Sequence, residues 1–168
     1  RVGRRDTPGG EVKVSIRFEG EFTVPVSREE TYALLSDPKK FAPLLPTYKS
    51  IEVRDERTAD VTVAVGDGKI RGSAVITLTL EGEQPPSRAA YSGKGKVMGS
   101  AFDMGTSFDL LPADGGGTVV KWVGDLVMFG KLVALAGGLI RPLAKKDIER
   151  LVGAIQSALT PGGVAANG

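Results

Sequence analysis

Two residue types are missing from this sequence altogether: cysteine and histidine. Without Cys there is no disulfide, no thiolate nucleophile and no Cys-based metal site. Without His the commonest general base, the commonest metal ligand and the side chain that titrates near neutral pH are gone. Catalysis would fall to carboxylates, Lys or Tyr, and we expect neither a metal nor a cofactor. Aromatic residues are sparse, 6% of the chain, with a single Trp. No apolar run reaches the ~18 residues of a membrane-spanning helix; residues 126–140 come nearest and are interrupted by Lys131. No signal-peptide-like apolar segment is seen, so a cytoplasmic location is expected. Neither sign of charge is in excess: Lys+Arg 22 against Asp+Glu 20, a net +2. That balance gives no electrostatic drive toward nucleic acid, and no nucleic-acid partner is expected.

What is present is organised as one domain. A chain of 168 residues buries roughly 70% of its unfolded surface on folding, enough for a core without staples. We place that domain at residues 13–160, between disordered tails at 1–12 and 161–168. The first tail carries Arg1, Arg4 and Arg5 before Pro8, Gly9 and Gly10. A solvated tail is the plain reading; contact with anionic lipid at the inner membrane face is the sharper one.

The domain opens with strict alternation. Val14, Ile16, Phe18, Gly20, Phe22 and Val24 fall on one face, and Ser15, Arg17, Glu19, Glu21 and Thr23 on the other. This is a strand with one wet face. Ser27 followed by Glu30 reads as a capping box, starting a short helix with Tyr32, Leu34 and Leu35 on its apolar stripe. Asp37-Pro38 starts a second short helix, which carries Phe41, Leu44 and Leu45 and ends at Pro46. Strands are then expected at 48–57, 60–65, 69–81, 88–97, 101–111 and 118–129, with a turn at Gly66-Asp67-Gly68. Their short connections imply antiparallel neighbours.

The period changes after residue 130. Leu132, Leu135, Leu139, Ile140, Leu143, Ile148, Leu151, Val152, Ile155 and Leu159 recur at helical spacing, while Lys145, Lys146, Asp147, Glu149 and Arg150 fall mostly on the opposite side. Gly137, Gly138 and Pro142 weaken this helix by about 1, 1 and 3 kcal/mol. Its large aliphatic residues contribute roughly 1.5–3 kcal/mol each on burial, so packing wins and a kink near 138–142 is expected. The fold class is therefore α+β. A curved antiparallel sheet of about seven strands has two short helices after the first strand and a long C-terminal helix across it, a helix-grip architecture.

The run Phe18-Glu19-Gly20-Glu21-Phe22-Thr23-Val24-Pro25, the Ser27-Arg28-Glu29-Glu30 helix start and the Leu35-Ser36-Asp37-Pro38 corner resemble the opening of START-like (Bet v 1-type, SRPBCC) domains. More narrowly, the chain is similar to the carbon monoxide dehydrogenase G-subunit family. The stretches that carry this are residues 65–72 with their glycine-marked hairpin, Tyr91-Ser92-Gly93-Lys94-Gly95-Lys96, and Gly130-Lys131-Leu132. Leu45-Pro46-Thr47-Tyr48 departs from the Ile-Pro-Gly-Cys usual at that corner of the family. The resemblance implies a hydrophobic-ligand pocket between sheet and helix. It also implies an accessory role to a molybdenum hydroxylase of the carbon monoxide dehydrogenase type, in quinone handling and recruitment to the membrane.

Candidate pocket residues follow from parity. Phe102, Met104 and Phe108 share one face of their strand and Trp122 and Met128 one face of theirs, with Phe41, Leu45 and Tyr48 at the corner and Leu135, Leu139 and Leu143 on the helix. They form either ordinary core or an apolar box with an adaptable Met wall. Tyr48 or Ser92 would supply a hydrogen bond to a ligand carbonyl. Gly93, Gly95, Gly99 and Gly105 serve either sheet curvature or space for a ligand. Asp103 and Asp109 face water, and no catalytic carboxylate pair is expected. The reading is non-catalytic binding of a quinone- or lipid-like molecule. The alternatives are a START-like enzyme of the polyketide cyclase/aromatase type, or a protein-recruitment module without a ligand.

Overall fold

The computed structural model describes residues 13–66, 71–97 and 99–160. The tails expected at 1–12 and 161–168, and most of the expected Gly66-Asp67-Gly68 turn, lie outside the described residues.

Among the described residues seven strands form one antiparallel sheet: β1 (Lys13–Val24), β2 (Tyr48–Val53), β3 (Thr58–Gly66), β4 (Arg71–Gln84), β5 (Arg88–Val97), β6 (Ser100–Pro112) and β7 (Thr118–Phe129). Their spatial order is β1-β7-β6-β5-β4-β3-β2. The chain thus leaves β1 at one edge, crosses through two short helices to the far edge, and meanders back until β7 pairs with β1. Alternation is realised as expected: Ile16, Phe22 and Val24 are buried while Arg17, Glu19 and Glu21 are exposed.

The crossing is made by α1 (Arg28–Leu35) and α2 (Pro38–Phe41), followed by a single tight turn at Ala42–Leu44. The Ser27 hydroxyl accepts from the Glu30 N–H at 3.1 Å, and the Asp37 carboxylate accepts from the Lys39 N–H at 3.0 Å. Each satisfies one donor that a helix start leaves without a partner. The strand expected at 48–57 ends at Val53. The Asp55 carboxylate accepts from the N–H groups of Arg57 and Thr58, both at 2.8 Å, and this local bonding turns the backbone before it can extend the ladder.

The closing segment is one helical run in three parts: α3 (Leu132–Leu135), a π-helical turn (Ala136–Ile140) and α4 (Arg141–Ala158). Gly130, at φ 58, turns the chain out of β7, and the Lys131 N–H donates to the Ser100 hydroxyl at 3.1 Å. Pro142 lies in the first turn of α4, and the Arg141 N–H reaches back to the Ala136 carbonyl, five residues earlier. Proline lacks a donor and crowds the carbonyl four residues before it. A wider π turn absorbs both defects where Gly137 and Gly138 leave the backbone uncrowded, so the expected weak point takes the form of a π turn. The far end of α4 is held by Ile155, 1% exposed, and Leu159, 8% exposed.

Candidate functional site

The concave face of the sheet is solid at one end and hollow at the other. At the solid end, Phe41 from α2 stacks on Tyr91 (centroids 5.0 Å apart) and meets Phe108 edge-on at 5.7 Å. The Tyr91 hydroxyl donates to the Leu35 carbonyl at 2.7 Å, which satisfies the last residue of α1. Burial pushes the Tyr91 phenol up, so it stays neutral and remains a donor.

At the hollow end a cavity of about 530 Å3 lies between the sheet and the C-terminal helix. Its sheet wall includes Phe18, Phe22, Phe102, Met104, Trp122, Leu126 and Met128, and its helix wall includes Leu135, Leu139, Leu143, Ile148 and Leu151. Phe41, Phe108 and Leu45 close it on the α2 side. The volume falls within the ~300–1,000 Å3 of ordinary small-molecule pockets.

Register explains why the large side chains point where they do. Trp122 pairs with Gly20, Met104 with Gly93, and Phe102 with Gly95. A methyl group on any of these three glycines would approach its partner's side chain to 2.7–2.9 Å. The glycines therefore do not make empty space; they let the wall residues lie flat across the neighbouring strand. Gly124 is different. It lines the cavity on the same face as Trp122 and Leu126, and a methyl group there would meet nothing within 4 Å.

Of the residues singled out from sequence, Phe41, Leu45, Phe102, Met104, Phe108, Trp122, Leu135, Leu139 and Leu143 all line the cavity. Ser92 does not. Its neighbours Tyr91 and Gly93 face inward, so Ser92 points to the opposite face, where its hydroxyl donates to Glu81 at 2.9 Å. Tyr48 also falls short: it packs against the core from the β2 edge, and the wall there is made by Pro46, Thr47 and Val63. Neither is among the residues that line the cavity.

The polar side chains at the cavity are others: Thr47, Thr106, Lys146, Asp147 and Arg150, while Asp125 of β7 turns to the outer face and pairs with Arg17. Of the three on the helix, all expected on the opposite side, Lys146 and Arg150 stay exposed and Asp147 does not. It is half-buried, and desolvation raises its carboxyl above the ordinary value, while Arg150 and Lys146 pull it back. The signal was available, since Asp147 sits four residues from both Leu143 and Leu151 and hence on their stripe. The Arg141 guanidinium lies 5.8 Å from the ring centroid of Phe18, one of the wall residues, a cation–π distance. Among the described residues no three acidic side chains converge as a metal site. Also among them, no helix is long and apolar enough to cross a membrane.

The architecture is shared with solved structures. A conserved protein from Geobacillus kaustophilus superposes with a TM-score of 0.77 at 18% identity, over 88% of this chain and 97% of that one. A START superfamily protein from Mycobacterium smegmatis gives 0.63 at 16%, over 85% and 96%. Norcoclaurine synthase from Thalictrum flavum, in complex with dopamine and hydroxybenzaldehyde, gives 0.58 at 13%, over 86% of each chain. At such identities these likenesses speak for the START-like fold alone. No curated protein matches the sequence. The model of the carbon monoxide dehydrogenase G-subunit family (CoxG) matches residues 20–160. With most of the chain covered by that match and the helix-grip fold in place, this protein belongs to the CoxG family.

Proposed function

We propose that this protein binds a quinone- or lipid-like molecule in the cavity between sheet and helix and performs no chemistry on it. It does so as an accessory to a molybdenum hydroxylase of the carbon monoxide dehydrogenase type, with contact at the inner membrane face. One observation carries the reading: about 530 Å3 of space walled by Phe, Met, Trp and Leu side chains. Burying an apolar ligand there gains roughly 25 cal/mol per Å2 removed from water. The family supports the accessory role, since its description names a component of a dehydrogenase.

The enzyme alternative has one observation in its favour, the desolvated Asp147 beside the cavity. A single carboxyl gives an acid or a base but not both at opposite ends of a substrate, so the binding reading is preferred.

The test is extraction and melting. Organic extracts of purified protein should contain a lipophile. Menaquinone at about a hundred times its Kd should stabilise the fold by ~2.7 kcal/mol, raising Tm by roughly 5–10 °C. Empty extracts together with an unchanged Tm would end this proposal.

A further inference from the structure

The cavity is apolar along its length and carries its half-buried charge at one place, Asp147, on the helix wall. Asp147 sits on the helix stripe one turn from both Leu143 and Leu151, and all three line the cavity. The charged groups around it are few. Lys146 and Arg150 flank it on α4; Asp125 of β7 turns to the opposite face of the sheet, where it is exposed and paired with Arg17 of β1 at 3.5 Å. Arg141 is turned to the Phe18 ring. The α2 corner contributes Pro46 and Thr47, which carry no charge. A ligand seated against this wall therefore meets an acid group at its polar end.

An ionised carboxylate has acceptor oxygens and no donor. It bonds a hydroxyl group well and repels a carbonyl oxygen, whose lone pairs face its own. We infer that Asp147 is a specificity-determining residue, which makes the cavity prefer a ligand headed by an O–H donor, such as a hydroquinone, over its carbonyl-headed quinone form. This rests on the proposal that the cavity holds a quinone-like lipophile and goes beyond it by naming which form is held more tightly.

The preference has a pH signature. Once protonated, the carboxyl can donate to a carbonyl as readily as it accepts from a hydroxyl. Discrimination is therefore full above the raised titration range of Asp147 and shrinks as pH falls through it.

The experiment is anaerobic calorimetric titration of the intact protein with decylubiquinone and with decylubiquinol. The original protein should bind the quinol about tenfold more tightly, the size of one hydrogen bond to a charged group. Asp147→Asn should remove the difference, because a neutral amide serves both forms, and Asp147→Glu should keep it. Circular dichroism of the variants guards against misfolding. Equal binding of both forms by the original protein, or an unchanged ratio in Asp147→Asn, would overturn the assignment of Asp147 alone. Absence of binding of either form would overturn it together with the cavity reading.

Discussion

The two ends of the concave sheet face share the same strands and are built for opposite purposes. Beneath α1 and α2, Leu35 and Leu110 are 0% exposed and Tyr91 is 3% exposed, with its hydroxyl bonded to a helix carbonyl. Beneath α3 and α4, Trp122, Leu126, Leu139 and Leu143 are only partly buried and border open volume. Hydrophobic side chains of similar kind thus do two jobs. At the closed end each is surrounded by protein and contributes to stability. At the open end the same surface is left for another molecule to cover. The difference teaches that composition does not distinguish core from pocket in this protein; the amount of material placed above the sheet does.

Substitutions can break that contrast. The largest effect is expected from Leu110→Ala at the closed end, a loss of about 2–5 kcal/mol, because a cavity is left in close-packed surroundings. Leu139→Ala at the open end should cost about 1 kcal/mol or less, since its site is already incompletely packed. Urea denaturation of the two variants side by side measures the difference, and equal losses would contradict it. Tyr91→Phe should come next, at about 1–3 kcal/mol, because the Leu35 carbonyl loses its buried donor. Gly124→Leu sharpens the comparison from the other side. A Cβ at this position meets nothing within 4 Å and the side chain would project into the open space, so the unliganded Tm should hold or rise while the shift produced by menaquinone disappears.

The smallest effect is expected at Asp147. Its folded-state pKa is raised by desolvation, so the folded protein takes up this proton more readily than the unfolded chain. The associated stability is present in acid and lost as pH rises through the folded value. Asp147→Asn should therefore be more stable than the original protein at neutral pH, and the advantage should vanish toward acid. Thermal melts across pH measure it.

Much of this arrangement was legible in the sequence. Alternation from Val14 to Val24 fixed which face of β1 is wet, and Ser27 and Asp37 marked both helix starts because capping is a local interaction between neighbouring residues. The wall residues Phe102, Met104, Phe108 and Trp122 were found by parity, which holds wherever a strand stays regular. Ser92 was misjudged against that same parity, since Tyr91 beside it already faced inward. Tyr48 sits where β2 begins and a register shift separates it from Ser50, so alternation gave no reliable direction there. The role of the glycines was not legible either. Whether Gly93 makes room for a ligand or for Met104 depends on the partner across the ladder, which only the register supplies.

The π turn at Ala136–Ile140 has one more consequence. It holds roughly one residue more than an α turn would, and each residue advances a helix by about 100°. It therefore sets the rotational phase of α4 relative to α3. Deleting one residue, Gly137 for instance, would return the turn to α geometry and put the two segments about a quarter-turn out of step. Leu132 and Ile155, both deeply buried, could then no longer face the sheet together. The side that yielded would turn its leucines to water and either present Asp147 to solvent or carry Leu135 and Leu139 off the cavity. A single inserted position thus aims both walls of the helix at the same space.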